Sequence, residues 1–182
     1  MVARISVGKN LYGALAYNQN KVDEGGAKIL SAHLLRYPED GRFRPDESVR
    51  QFLEWMPNHY RTEKPVIHIS LNPHPDDVLT DGQLAEIGRE YMQRLGYGNQ
   101  PYLVFKHEDI GRHHIHIVSL RVDSEGRKVS DKFEYRRSKE ITELLEQKYG
   151  LHPAEGRKKG EEWQLKPVDV AKGDIKRQIA CT

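Results

Sequence analysis

Residues 107–117 read HEDIGRHHIHI, and four of the chain's nine histidines fall in this stretch. Such a cluster can be a metal site, a catalytic acid–base set, or a chance group on a solvated turn. Strand parity sorts its members. Residues two apart on a strand share a face, so His114 and His116 point together while Ile115 and Ile117 point to the other side, toward a core. The preceding apolar run, PYLVFKH, ends at His107 on the face that carries Leu103 and Phe105. If the two runs form an antiparallel hairpin, His107 approaches His114 and His116 across the strands. Three neutral imidazoles suit Mn, Ni, Co, Cu or Zn and leave coordination positions open for water and substrate. A ligand histidine needs a partner for its second ring nitrogen. Asp109 is expected to be that partner, with Glu108 the lesser candidate. His113 is expected in the turn. His68, on the face of Val66 and Ser70, either lines the site or is a satisfied sheet histidine.

The elements that must hold these residues are readable in part. ARISV (3–7) predicts a strand. NLYGALAYNQNKV (10–22) predicts a helix with Asn10 as N-cap and an inner stripe of Leu11, Leu15, Asn18 and Val22, ended by EGGAK. Residues 29–45 read as irregular, with a turn at PEDG (38–41). PDESVRQFLEWMP (45–57) predicts a helix capped by Asp46 and stopped by Pro57. KPVIHISLNP (64–73) predicts a strand, and Thr80–Gln83 a capping box opening a third helix that ends at Gly96 and Gly98. After the hairpin 101–122 and a turn at DSEGR, SKEITELLEQKY (138–149) predicts a fourth helix with Gly150 at its end. The order β-α-α-β-α-β-β-α predicts an α+β domain, a mainly antiparallel central sheet with helices on its faces.

At 182 residues one domain with a tail is expected, and a core can form without staples. The catalytic domain is placed at 1–151. Residues 152–182 are read as a polar linker followed by the start of a further helical segment (DIKRQI, 174–179), as in a chain cut from a longer one. One cysteine, Cys181, excludes an internal disulfide framework. Neither a secretory leader nor a membrane span is visible, so a cytoplasmic protein without membrane insertion is expected. With 29 Lys+Arg against 27 Asp+Glu, a basic face for nucleic acid has to come from folding.

His107-x-Asp109 followed by His114-x-His116 resembles the HxD…HxH signature of the relaxases, the mobilisation nucleases of conjugative and mobilisable elements. These belong to the HUH endonucleases, named for His–hydrophobic–His, here His114-Ile115-His116. LYGALAYNQNKV looks like the family's tyrosine segment. HISLNPHPDDVLTDGQLAEIGREYMQRLG looks like its strand–turn–helix, and YRRSKEITELLEQKYGL like the helix after the metal motif. Together the similarity covers about residues 1–151.

The resemblance implies a metal-dependent nuclease that nicks and rejoins one DNA strand at a transfer origin. It implies Tyr17 as nucleophile, a 5′-phosphotyrosine link to DNA, and a free 3′-OH. Tyr12 is the rival, and Tyr60 and Tyr135 are outsiders among nine tyrosines. Mn²⁺ or Mg²⁺ is the implied cofactor, although three imidazoles also accept Ni²⁺, Co²⁺ or Zn²⁺. The implied partners are single-stranded origin-of-transfer DNA, accessory relaxosome proteins and a coupling protein, with no small-molecule substrate. Lys9, Lys21 and Arg112 are the candidate phosphate contacts, with Lys106 and Arg121 also near the metal strands. The competing readings are a rolling-circle replication initiator or single-strand transposase, a catalytically silent metal-containing DNA-binding module, and a hydrolase that uses water as nucleophile.

Overall fold

The computed structural model describes residues 1–37, 42, 44–109 and 111–154. The turn expected at 38–41 and the tail from 155 onward lie outside the described residues.

Five strands form one antiparallel sheet: β1 (Val2–Gly8), β2 (Ala27–His33), β3 (Val66–Asn72), β4 (Tyr102–His107) and β5 (His114–Leu120). Their order across the sheet is β1-β3-β5-β4-β2, so β5 is central. Four α-helices accompany them: α1 (Leu11–Asp23), α2 (Pro45–Glu54), α3 (Asp81–Met92) and α4 (Glu134–Tyr149). The expected α+β class is therefore correct.

Alternation along the strands divides the core. Ile67, Ile69 and Leu71 of β3, Val104 of β4, and Ile115 and Ile117 of β5 pack with Leu84, Ile87, Tyr91, Ile141 and Leu145 of α3 and α4. Val66, Leu103, Phe105, Val118 and Leu120 face the other way and pack with Leu11, Ala14 and Leu15 of α1 and Phe52 of α2. The sheet is a middle layer between two helical layers. At Gly88 of α3 an added Cβ would lie 3.1 Å from Ile115 Cδ1, so the missing side chain lets the helix settle on the central strand.

Local chemistry accounts for most boundaries. The Asn10 side chain accepts from Gly13 N at 2.7 Å and caps α1. Thr80 and Gln83 make the reciprocal capping box of α3. A wider turn, Gln93–Tyr97, ends α3, with Gly96 at φ 102°. Gly150 closes α4 in the left-handed conformation.

Four expectations need correction. Residues 29–33 are not irregular: with Ala27 and Lys28 they form β2, paired with β4, and a register shift between Ile29 and Ser31 breaks the alternation that would have betrayed it. Asp46 does not cap α2; Arg44 occupies the N-cap without a side-chain bond, Pro45 opens the helix, and Asp46 lies in its first turn. That helix ends at Glu54, before Pro57. α4 begins at Glu134, four residues earlier than its periodicity suggests, after Phe133 turns into the left-handed region at φ 53°.

Candidate active site

The β4–β5 hairpin pairs His107 directly with His114, and His116 lies opposite Phe105 on one side and Ser70 on the other. The three imidazoles thus share the face of Phe105 and Val118, beyond the apolar cluster under α1 and α2. Each offers a ligand atom within 4.8 Å of the others'. Ring centroids are 4.0 Å apart for His107–His116, 5.3 Å for His107–His114 and 5.0 Å for His114–His116. All three residues are buried. Burial, and then the positive charge that His114 would carry, push the His107 pKa down to about 3. The ring is therefore neutral near pH 7, as a metal ligand must be. The donor set fits a divalent cation: three imidazole nitrogens converge and their outer nitrogens are held.

Those outer partners differ from expectation. His107 Nε2 bonds Asn18 Oδ1 at 2.8 Å, while Asn18 Nδ2 donates to Ala14 O at 2.8 Å. Asn18 is fully buried. His116 Nδ1 lies 2.9 Å from His68 Nε2, and burial lowers the His68 pKa to about 4. His114 Nδ1 faces Arg112 O at 3.4 Å. Asp109 instead receives the Lys21 ammonium at 2.9 Å. Burial alone would raise the Asp109 carboxyl, but the hydrogen bond and charge of Lys21 outweigh it and hold the pKa low. Gly26 makes room for this arrangement. An added Cβ there would lie 3.2 Å from Asp109 Cβ, and Gly26 O accepts from Glu108 N at 2.8 Å.

Tyr17 comes to this cluster from α1. Its ring stacks near His107 at 6.0 Å with planes 22° apart, and lies 6.4 Å from His116. Lys21, one helical turn further, has its pKa raised by its hydrogen bond to Asp109, with a smaller contribution from the Tyr17 phenol. Tyr12 is 50% exposed, and Tyr60 and Tyr135 are exposed on other elements.

The candidate phosphate contacts separate by position. Arg112 is half-buried in the hairpin loop beside the cluster, where His113 is exposed as expected of a turn residue. Lys21 is at the site but engaged by Asp109. Lys9 is exposed beyond Gly8, which pairs with Val66 at the end of the sheet away from His114. Lys106 and Arg121 are buried. Lys106 pairs with Asp81 at 2.7 Å and Glu108 at 2.8 Å, and Arg121 pairs with Asp131 at 2.9 Å. They hold the structure together and are not presented to a phosphate.

With this geometry in view, the comparisons decide the family. Residues 17–151, more than half of the chain, match the family model described as relaxase, MobA/VirD2-like, nuclease domain. The protein belongs to this relaxase family. Comparison with curated proteins gives no match. Membership makes the protein a DNA-nicking nuclease by family, and the three-histidine cluster is a group that could hold a divalent metal ion. Among the described residues of this relaxase, no helix is long and apolar enough to cross a membrane.

Sequence reasoning missed Asn18 and left His68 undecided. Asn18 stands in the inner stripe of α1. A polar side chain at a buried helical position must have a partner, and that requirement was the available signal.

Proposed function

We propose that this relaxase nicks and rejoins one strand of DNA at a transfer origin through Tyr17, and so initiates conjugative mobilisation. The observation that carries the reading is the Tyr17 ring stacked beside the histidine trio, which brings a nucleophile and a cation site to one face of the sheet. The Tyr17 hydroxyl attacks the scissile phosphorus, and its proton passes through solvent to the departing 3′-oxygen. A Tyr17–phosphate bond forms, the bond to the departing 3′-oxygen breaks, and that oxygen leaves as a free 3′-OH. Attack by a 3′-OH on the same phosphorus reverses the step and reseals the strand.

His107, His114 and His116 would hold the cation, Mn²⁺ or Mg²⁺ by family and Ni²⁺, Co²⁺ or Zn²⁺ by the softness of the donors. When bound, it supplies Lewis acidity at the scissile phosphate and stabilises charge developing there. The Lys21 ammonium acts electrostatically on the Tyr17 phenol, and Asp109 holds Lys21 in place. Arg112 neutralises a nearby phosphate. Lys9, at the far end of the sheet, can only meet DNA away from the reacting centre. The substrate is single-stranded origin DNA, and accessory proteins and a coupling protein complete the transfer apparatus. Residues 1–151 form the catalytic unit and 152–182 a further segment of the chain, all acting in the cytoplasm.

The test is incubation with labelled single-stranded origin DNA and Mn²⁺, followed by a denaturing gel. A covalent protein–DNA band is expected, lost in Tyr17→Phe. A band that survives Tyr17→Phe refutes the nucleophile. Cleavage without any band points to a water-using hydrolase, and binding without cleavage to a silent module. A band formed with replication-origin rather than transfer-origin DNA points to an initiator.

A further inference from the structure

We propose that Arg4 of β1 and Ser70 of β3 hold a backbone phosphate of the DNA strand next to the scissile one, on the half of the trio's sheet face that α1 and α2 leave open. Neither residue belongs to the histidine motif or to the tyrosine segment. The proposal rests on the reading of the protein as a nuclease for single-stranded DNA.

Register sets the two residues in one row with His116. Ser70 pairs with His116 on one side and with Arg4 on the other, and Phe105 completes the row on β4. Paired residues of neighbouring strands point to the same face, so Arg4 and Ser70 share the face of the trio. Strands about 4.8 Å apart put the Arg4 Cα about 10 Å from the His116 Cα, a gap that an extended arginine side chain and a phosphate can span. The apolar residues of β1, Ala3, Ile5 and Val7, turn the opposite way, into the cluster under α3 and α4. Exposure rises steadily along the row. Phe105 is 0% and His116 7% exposed, Ser70 is half-buried and Arg4 is exposed. Among the described residues, the apolar cluster under α1 and α2 takes side chains from β2, β3, β4 and β5 and none from β1. The row is therefore covered at its β4 end and open at its β1 end, which is the direction from which a strand can reach His116.

The hydrogen-bond state of each group suits an anion. Asn72 Nδ2 donates to Ser70 Oγ at 3.1 Å and to Val2 O at 3.1 Å. Ser70 Oγ thus accepts from within the protein, and its own O–H, engaged by nothing else among the described residues, remains to donate. In the neighbouring row Ser6 Oγ already donates to His68 O at 3.3 Å. Arg4 has neither an ion pair nor a hydrogen bond among the described residues, whereas carboxylates engage Lys21, Lys106 and Arg121. Its guanidinium offers five N–H donors in a planar fork that matches two phosphate oxygens. A phosphate held there fixes where the strand crosses the trio without any contact to the reacting phosphorus. Arg112 approaches the trio from the hairpin loop past the strand ends and Arg4 from across the strands, so the two fix the DNA along different directions. Arg4 and Ser70 are positioning residues for the substrate.

Binding of labelled single-stranded origin DNA to the full chain, measured by anisotropy in EDTA, tests this. Arg4→Ala is expected to bind about fivefold more weakly at about 0.1 M salt and to lower the slope of log affinity against log salt by about 0.7, the share of one phosphate contact. Arg4→Lys keeps the charge and is expected to restore the slope. Arg136→Ala removes the same charge from α4, on the other face, and is expected to keep the wild-type slope. Ser70→Ala removes no charge and is expected to weaken binding by on the order of tenfold at the wild-type slope. Neutral methylphosphonate linkages, placed one at a time in the oligonucleotide, locate the contact: one linkage is expected to weaken wild type and leave Arg4→Ala unaffected. A wild-type slope in Arg4→Ala, wild-type affinity in Ser70→Ala, or linkages that cost Arg4→Ala as much as wild type each overturn the contact and leave the nuclease reading standing. Wild type that binds the DNA but forms no covalent adduct with Mn²⁺ overturns the nicking reading and leaves the contact standing. Wild type that fails to bind the DNA overturns both.

Discussion

Two histidines buried in neutral form make the metal-free protein sensitive to mild acid, and the structure sets the size of the effect. The ordinary histidine pKa of 6.5 falls to about 4 at His68 and to about 3 at His107, in both cases mainly through burial. Below pH 6.5 the unfolded chain takes up a proton at each position and the folded protein does not. Stability therefore falls as pH falls, by one proton's worth of slope per histidine, until the folded-state pKa is reached. Between pH 6.5 and 4.5 the integrated loss is about 2 kcal/mol for each residue, about 4 kcal/mol together. Glu134, whose carboxyl pKa burial raises, acts in the opposite sense toward the lower end of the window and is common to wild type and variant. Asp81, held down to about 2 by Lys106 and Lys28, loses its contribution only below its unfolded value of 3.8. The His152 pKa is raised by Asp77, so its contribution is already complete below 6.5. The assay is urea unfolding in EDTA at half-unit steps across the window, on wild type and His68→Leu. Unfolding free energy is expected to fall in His68→Leu with one proton less of slope than in wild type, whatever the two proteins' absolute stabilities. Equal slopes would refute the claim that His68 is buried uncharged. Adding Mn²⁺ is expected to raise stability at pH 7 by mass action.

Other perturbations have equally definite outcomes. Arg112→Ala is expected to weaken binding of single-stranded DNA and reduce the slope of log affinity against log salt by about 0.7, whereas Lys9→Ala leaves the rate of covalent adduct formation unchanged. Gly88→Val sets a branched side chain against Ile115 and is expected to cost about 1–3 kcal/mol in urea unfolding, through overpacking between α3 and β5. Lys106→Met, which removes a buried cation held by Asp81 and Glu108, is expected to leave salt-dependent DNA binding near wild type but to lower stability in urea unfolding by about 1–3 kcal/mol, since two carboxylates lose their partner. His116→Ala is expected to abolish nicking in the gel assay while DNA binding by anisotropy persists.

The hairpin and its ligands were legible because parity is a strong constraint. Once 101–107 and 114–122 are paired, His107, His114 and His116 can only fall on one face, and the structure places them there. The capping box at Thr80 and the Asn10 cap were legible for a similar reason, since each is a short-range device complete within a few residues. β2 was hidden because it is an edge strand whose bulge between Ile29 and Ser31 breaks the period of two, and its identity depends on β4, far away in sequence. The phosphate contacts were illegible for a different reason. Charge type says nothing about burial, and Lys106 and Arg121 turned out to be structural. The partner of His107 was misassigned because Asp109 was near in sequence, whereas Asn18 reaches it from another element.

That last contrast bears on how the site is assembled. Ligands on the two central strands β5 and β4 are fixed by the sheet's hydrogen-bond ladder, but the nucleophile belongs to a helix whose packing face alone would allow sliding and rotation. Apolar contacts from Leu11 and Leu15 bury α1 without specifying its rotation closely, because the hydrophobic effect is non-directional. Directional contacts must supply the remaining precision. Asn18 provides one to His107 on β4, and Lys21 provides another to Asp109 just beyond that strand. Both follow Tyr17 within about one turn of helix, so the phenol ring is held at its distance from His107 and His116 by polar bonds on the ligands' own hairpin. A change that loosens either tether therefore acts on nucleophile and cation site together, even though neither Asn18 nor Lys21 needs to touch the reacting phosphorus.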